Sequence, residues 1–342
     1  MPLVTVCVPC YNAGKTILKT LNSIVSQTYK NLEILVVDNV STDNTVSICR
    51  SVKDSRIRIV QNEKNIGGEN NWSRSIELAT GEYIAVFHSD DLYCPTLVEK
   101  QVQAFRQYPE INAVFPMSYL IDPNDRIIGE RPLPKELKNK KEVSFDELFV
   151  AILTNHNSFL TTPGVMVRGE LYKKLAPFRL DIFDTAADLD MWFRISKSGP
   201  VVLIDEYLMK YRISPTQGGY LIVSVREEEA AFYKVMDAYL PGVAAHYPIP
   251  KNSLDRYELF RNNDRIKRSM NMILNGKTSA AKPLLKQSIS PGIFRKLVKN
   301  FYNTYSLILV MMGIVLYLSI FVSGERAAAG FFKKIFYYYQ FM

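Results

Sequence analysis

Neither G-x-G-x-x-G nor G-x-x-x-x-G-K-[ST] occurs in the 342 residues. The first absence removes the glycine cradle that a dinucleotide fold wraps around a pyrophosphate. The second removes a P-loop. Cysteine is scarce, with four residues: Cys7, Cys10, Cys49 and Cys94. Cys7-Val-Pro-Cys10 reads C-x-x-C, but no second ligand pair accompanies it. Strand alternation and Pro9 make it a buried thiol followed by a turn thiol, not a zinc half-site or redox pair. A reducing, cytosolic setting fits that usage. No basic leader precedes the first strand, so no signal peptide is expected. There are no internal repeats and no Gly/Ser linker. No basic motif interleaved with stacking aromatics argues for a nucleic acid.

Among what is present, 47% hydrophobic residues suffice for a full core, and the length suits one large domain or two ordinary ones. The net charge of +8 fits an anionic partner or serves solubility alone. From Asn300 to Gly324 no residue is charged, and SLILVMMGIVLYLSIFV (306–322) is long enough to cross a hydrocarbon core. Lys282, Lys286, Arg295, Lys296 and Lys299 precede it; Arg326, Lys333 and Lys334 follow. The expectation is a membrane span with the rest of the chain on the cytoplasmic face, that of a bacterial inner membrane. An interfacial hairpin and a buried core helix are the alternatives. The tail FFKKIFYYYQFM suits a membrane–water interface.

Residues 4–8 alternate as a strand, and Ile17, Leu18, Leu21, Ile24 and Val25 recur at helical spacing. LEILVVD (32–38) is a continuous apolar run, as in a strand buried on both faces. Residues Ser41 to Thr45 offer N-caps to a helix over 43–53. RIRIV (56–60) predicts a third strand, then a helix over 69–79 ended by Gly81. EYIAVFHSDD (82–91) predicts a fourth strand, and Pro95 opens a helix over 95–107. This β-α-β-α-β-α-β order implies an α/β fold with a mostly parallel central sheet. Further on, AVFP, SYLID, VVLID and YLMKYRIS read as four strands and DLDMWFRISKSG (188–199) as a short helix. KELKNKKE (135–142) reads as a solvated loop; residues 225–239 and 256–275 read as amphipathic helices.

In such sheets ligands sit beyond the carboxyl ends of the strands. Three ends carry chemistry: Pro9-Cys10-Tyr11-Asn12, Asp38-Asn39 and His88-Ser89-Asp90-Asp91. With no glycine cradle, what remains is a nucleotide held by its base and ribose. Tyr11 offers a face to a pyrimidine, and Asp38 can accept its ring N–H or cap a turn. Asp90 and Asp91 repel one another, which favours a hard divalent cation, Mn2+ or Mg2+; otherwise one of them caps the following helix. Such an ion stabilises a nucleoside diphosphate as leaving group.

VTVCVPCYNAGKTILKTLNSIVSQTYKNLEILVVDNVSTDNT, followed by ELATGEYIAVFHSDDLYCP, resembles the family 2 glycosyltransferases of GT-A fold. The resemblance covers residues 3–110 and extends loosely to 215. It implies an inverting, metal-dependent transferase using a nucleotide-diphospho-sugar. Pro9, Tyr11, Asn12 and Asp38 then bind base and ribose. The family's D-x-D lands on His88-Ser89-Asp90, with Ser89 and Asp90 toward the nucleotide, Asp90 and Asp91 as metal ligands, and His88, in place of the usual first acid, either a further metal ligand as neutral imidazole or a hydrogen-bonding partner of the ribose or a metal-bound water. NIGGENNWSRS (65–75) departs from G-x-x-x-A-R-N-x-G: Asn71 and Trp72 stand at the Ala-Arg positions, and Arg74 either supplies a phosphate-directed cation or is a solvated helix residue. AADLDMWFR (186–194) resembles E-D-x-x-x-W-x-R, with Asp188 as catalytic base or helix cap, Asp190 as fallback base, Trp192 in the sugar and acceptor region, and Ala187 replacing an acid. TTPGVMVR (161–168) resembles the segment lining sugar and acceptor, with Gly164 allowing close ligand approach. YRIS (211–214) resembles the closing loop, with Arg212 and Gln217 toward the diphosphate.

The reading is therefore a catalytic domain over 1–220, with a nucleotide half to about 110 and an acceptor half beyond. A helical connector over 221–299 and a membrane anchor with interfacial tail over 300–342 follow. The expected reaction moves a sugar from a nucleotide-sugar donor, with UDP the expected nucleotide, to a glycan or lipid-linked acceptor of a surface polysaccharide. A polyprenyl-phosphate sugar transferase is the alternative, and a metal-dependent nucleotidyltransferase the alternative of another class.

Overall fold

All seven residues of VTVCVPC are buried, and they form β1 (Val4–Cys10). Side chains alternate across a strand. Val4, Val6 and Val8 therefore share one apolar cluster with Ile17, Leu21 and Ile24 of α1 (Ile17–Val25). Cys7 points the other way, and its thiol donates to the Ser75 carbonyl in α3 (Gly68–Leu78) at 3.3 Å. Helices on both faces explain why β1 is buried throughout and β2 (Leu32–Asp38) is a continuous apolar run. The computed structural model describes residues 1–214, 225–299, 304–319, 326–331 and 333. The chain divides into two compact units, Met1–Phe149 with Asn157–Ile213, and Val150–His156 with Ser214–Met342.

In the first unit, β3 (Ile57–Gln61), β2, β1 and β4 (Tyr83–Val86) run parallel. The helix α2 (Thr45–Ser51) lies between β2 and β3 in sequence. The strands β5 (Leu92–Tyr93), β6 (Ala113–Ile121), β7 (Ile127–Arg131), β8 (Val165–Arg168) and β9 (Val201–Arg212) complete one sheet of order β3-β2-β1-β4-β8-β6-β9-β5, with β7 on β6. The expected mostly parallel sheet is thus a mixed one. β8 is antiparallel to β4 and β6, β7 is antiparallel to β6, and β5 is antiparallel to β9; only β6 and β9 are parallel in this half. An antiparallel strand starts where its parallel neighbours end. Residues 161–164, which lead into β8, therefore lie at the carboxyl end of β4, where the Gly164 N–H donates to the Val86 carbonyl at 3.0 Å.

Two expected strand pairs are single strands with irregularities. AVFP and SYLID form β6, and VVLID and YLMKYRIS form β9, with register shifts on either side of Met117. The fourth strand stops at Val86, short of the acids. Helices α4 (Leu97–Gln107), α5 (Phe145–Asn155), α6 (Gly169–Leu175), α7 (Leu180–Phe183) and α8 (Ala187–Lys197) complete the order. Gly81 does not cap α3, whose C-cap is Ala79. It is needed for close approach instead: a Cβ there would lie 2.5 Å from the Thr5 nitrogen and 2.7 Å from the Tyr83 oxygen.

The second unit contains α9 (Ala231–Ala244), α10 (Lys251–Leu274), α11 (Thr278–Ser288), α12 (Pro291–Lys299) and α13 (Thr304–Ser319). Its apolar core joins Ile266 and Ile273 of α10, Leu285 of α11 and Ile293 of α12 to Leu309, Val310 and Leu316 of α13. Connector and anchor, expected as separate segments, thus share one core. Among the described residues no helix is long and apolar enough to cross a membrane, and residues 320–322 of the expected span lie outside them.

Substituting Gly81→Ala forces a methyl against fixed backbone. Urea unfolding should show a loss of about 2 kcal/mol or more with unchanged m value; a loss below about 0.5 kcal/mol would mean that β1 and β4 yield easily there.

Candidate active site

Cys10, Asp38 and Gln61 stand side by side at the ends of β1, β2 and β3. Asp38 is buried; its Oδ2 accepts from the Ser41 N–H at 3.1 Å and the Gln61 amide at 3.4 Å. It therefore caps the turn after β2. Asn12 adopts a left-handed conformation, φ 50°, which Asn tolerates better than most residues. Its Oδ1 accepts from the Thr42 N–H at 2.8 Å, while its own N–H donates to Ser41 Oγ at 2.9 Å. These bonds clamp the turn and leave the Tyr11 ring, 51% exposed, without a ring or hydrogen-bond partner among the described residues. Pro9 lies buried within β1. Cys10 is buried too and is not a turn thiol; burial, nearby Cys49 and Asp38 push its pKa up, and burial does the same to Cys7. Neither has the thiolate character of a redox cysteine.

An asparagine web, missed from sequence, lies beside this turn. Asn39 donates to Asn65 at 2.8 Å and accepts from Asn62 at 3.0 Å, and Asn62 also donates to Asn71 at 2.8 Å. Arg74 lends its Nε to Asn62 at 2.9 Å, so part of its donor set braces the web.

The acid loop after β4 is held by its backbone. Thr16 and Thr20 hydroxyls donate to the Ser89 carbonyl at 3.0 and 3.1 Å, and Thr20 also to the Asp91 carbonyl at 2.8 Å. The side chains of His88, Asp90 and Asp91 are left to converge, with ligand atoms all within 4.8 Å of one another. Asp91 is buried and its Oδ1 accepts from the Arg212 N–H at 2.7 Å, but Asp91 Oδ2 and His88 Nε2 are buried with no hydrogen-bond partner. Burial and the charge of Asp90 push the Asp91 carboxyl well up; burial lowers the His88 pKa against the pull of Asp90 and keeps the imidazole neutral. A buried acceptor left unpaired costs about 1–3 kcal/mol. An unpaired Asp91 carboxylate oxygen and a neutral imidazole, in a cluster of ligand atoms within 4.8 Å of one another, fit a divalent cation. Trp72 stacks on His88 with centroids 5.0 Å apart. Two of the positions where this chain departs from the family pattern, Trp72 and His88, therefore touch.

Arg212 differs from its expected role. It is 3% exposed, and its guanidinium donates to the carbonyls of Asp90 at 2.7 Å and Asp122 at 2.9 Å and pairs with Asp125 at 2.7 Å. It braces the acid loop from within. Gln217 lies outside the described residues. Arg131 and Tyr211 were not singled out from sequence: the Arg131 guanidinium lies 4.4 Å over the Tyr211 ring, and its charge acts on Asp91. No local motif marks this pair, because it forms across β6 between β7 and β9.

Asp188 opens α8. Its Oδ2 accepts from the Thr162 hydroxyl at 2.5 Å and its Oδ1 from the Leu189 N–H at 2.7 Å. Burial nevertheless raises its pKa, which these two bonds oppose. Asp190 is unsuited to be a fallback base: it is fully buried between the guanidiniums of Arg179 and Arg194. Trp192 is not at the sugar site either; it packs in the core, edge-on to Phe115 at 5.4 Å. Gly164 has φ 85°, and a Cβ there would lie 3.0 Å from Met209 Sδ, so packing rather than ligand approach requires glycine.

Residues 5–175 match the family model described as Glycosyl transferase family 2. A curated relative from Escherichia coli, UDP-Glc:alpha-D-GlcNAc-diphosphoundecaprenol beta-1,3-glucosyltransferase WfaP, is 35% identical over 139 residues, 40% of this chain and 54% of the relative. The structure of S. aureus TarS 1-349 in complex with UDP-GlcNAc superposes with TM-score 0.56 at 16% identity, covering 93% of this chain and 91% of that one. Mannosyltransferase PcManGT from Pyrobaculum calidifontis, in complex with GDP-Man and Mn2+, superposes with TM-score 0.51 at 18% identity, covering 93% and 87%. At these identities the two structures show the fold.

Replacing Trp72→Leu removes the plane that orients His88. Mn2+ affinity, read by electron paramagnetic resonance titration, should fall about tenfold; an unchanged affinity would place the cation away from His88.

Proposed function

Because the chain belongs to glycosyl transferase family 2, we propose that its cleft moves a sugar from a UDP-sugar to a hydroxyl of a glycan or lipid-linked acceptor, with inversion. Glycosyl transfer from a nucleotide-sugar donor sets aside the nucleotidyltransferase alternative. The observation that carries the finer reading is the pair of unclaimed buried ligand atoms, Asp91 Oδ2 and His88 Nε2, in the same unit as a carboxyl of raised pKa, Asp188.

The exposed Tyr11 ring and Asp38 receive the base and ribose. Asp90, Asp91 and His88 would hold Mn2+ or Mg2+, whose charge would stabilise a diphosphate leaving group. Arg131 adds positive charge beside Asp91. Asp188 takes the proton of the acceptor hydroxyl as its oxygen bonds to the anomeric carbon. The bond from that carbon to the diphosphate breaks, and its electrons leave with the nucleoside diphosphate. A base is more effective with a pKa nearer the working pH, which is the direction in which burial moves Asp188. The WfaP name, with its diphosphoundecaprenol-linked acceptor, supports a lipid-linked acceptor here. We place the reaction at the cytoplasmic face of a membrane, on the basic residues that flank the apolar run 306–322.

The test is Asp188→Asn with UDP-glucose and UDP-N-acetylglucosamine as donors. UDP release should fall by about 10²–10⁴-fold while UDP affinity changes less than about twofold; surviving turnover removes Asp188 from the chemistry. Thr162→Val gives a second check with a definite sign. The Thr162 bond favours the ionised carboxylate, so its loss raises the pKa further. The acid limb of kcat/KM should move to higher pH, and an unmoved limb would mean another base.

A further inference from the structure

No Asp or Glu stands between Asp264 and Glu325, a stretch that includes Lys277, Lys282, Lys286, Arg295, Lys296 and Lys299. The last two helices of the second unit carry this bias onto an apolar surface. In α12, Ile293 and Leu297 face the core, and Phe294, Arg295, Val298 and Lys299 are exposed. In α13, Leu309, Val310, Met312 and Leu316 fill the same core. Leu307, Met311, Val315 and Leu318 are 48%, 52%, 43% and 59% exposed. Their spacing of four, four and three residues places them in one line down the helix.

The helix is thus apolar on both sides but used on one. A lone spanning helix meets lipid all round. The inner side of α13 is instead packed on α10, a helix that also carries the ion pairs of Asp264 with Arg226 and Arg268. Only the outer line is available, and exposed Arg295 and Lys299 accompany the apolar residues of α12. Glu258 of α10 pairs with Lys296, but α12 and α13 carry no acid of their own, and an apolar stripe beside exposed cations is the pattern of a helix lying in a membrane interface.

We propose that α12 and α13 form a docking surface for an anionic bilayer, lying in its plane, with Met311, Val315 and Leu318 among the acyl chains and Arg295 and Lys299 at the phosphates. This surface stands on the second unit alone and does not depend on the sugar-transfer reading.

Flotation of the full chain with vesicles tests it. The chain should float with phosphatidylcholine vesicles containing phosphatidylglycerol, and less in high salt. Met311→Glu with Val315→Glu should weaken flotation about tenfold or more. Arg295→Glu with Lys299→Glu should remove the preference for phosphatidylglycerol over phosphatidylcholine alone. All these positions are exposed, so both double variants should keep wild-type UDP affinity. A wild-type chain that stays in the buffer overturns the proposal, as do charge variants that float like wild type. An alkaline carbonate wash of membranes from expressing cells decides orientation: release supports an in-plane helix, and retention in the pellet overturns it.

Discussion

Asp91 is a carboxylate buried with one oxygen satisfied and one not, and much of the first unit serves to keep it so. The satisfied oxygen takes the Arg212 N–H, which is available there because β9 pairs antiparallel with β5 directly after the acid. The Arg212 side chain then turns back to hold the Asp90 carbonyl. From the other side Thr16 and Thr20 hold the carbonyls of Ser89 and Asp91. The backbone is held at four oxygen contacts, and Asp91 Oδ2 and His88 Nε2 stay buried without a hydrogen-bond partner. A buried acid beside another acid is stable only with a proton or a cation, and a neutral imidazole stacked on Trp72 favours the cation.

The mixed sheet has a matching consequence. Had β8 run parallel to β4, its leading residues would lie at the opposite edge of the sheet. Running antiparallel, it brings Thr162 to the carboxyl end of β4, and Thr162 in turn holds Asp188. One strand reversal thus brings the proposed base to the edge formed by the carboxyl ends of β1, β2 and β4. The same region separates two acids only two residues apart. Asp190 is locked between two guanidiniums and anchors α8, while Asp188 keeps a raised pKa and accepts one hydrogen bond from the Thr162 hydroxyl and one from the Leu189 N–H.

The second unit follows a different logic. Its core is finished by the inner face of α13, so the apolar run that read as a span is partly a core helix. Hydropathy counts residues without regard to which side of a helix they occupy. It could not separate the four that pack inward from the four that face out.

The chain's local pattern alone determined the β-α-β-α-β-α-β half, the alternation of β1 and the apolar run of β2, and the three strand ends where chemistry gathers. These are legible because alternation, helical period and strand-end polarity are properties of neighbours in sequence. The family motifs, too, are local strings. The tertiary structure alone decided which polar groups in those strings are free. Arg212 faces inward, Trp192 fills core, Gly164 packs against Met209, and Arg131 joins the site from another hairpin. Availability depends on the partners a fold brings within about 3 Å, and those partners lie tens of residues away along the chain.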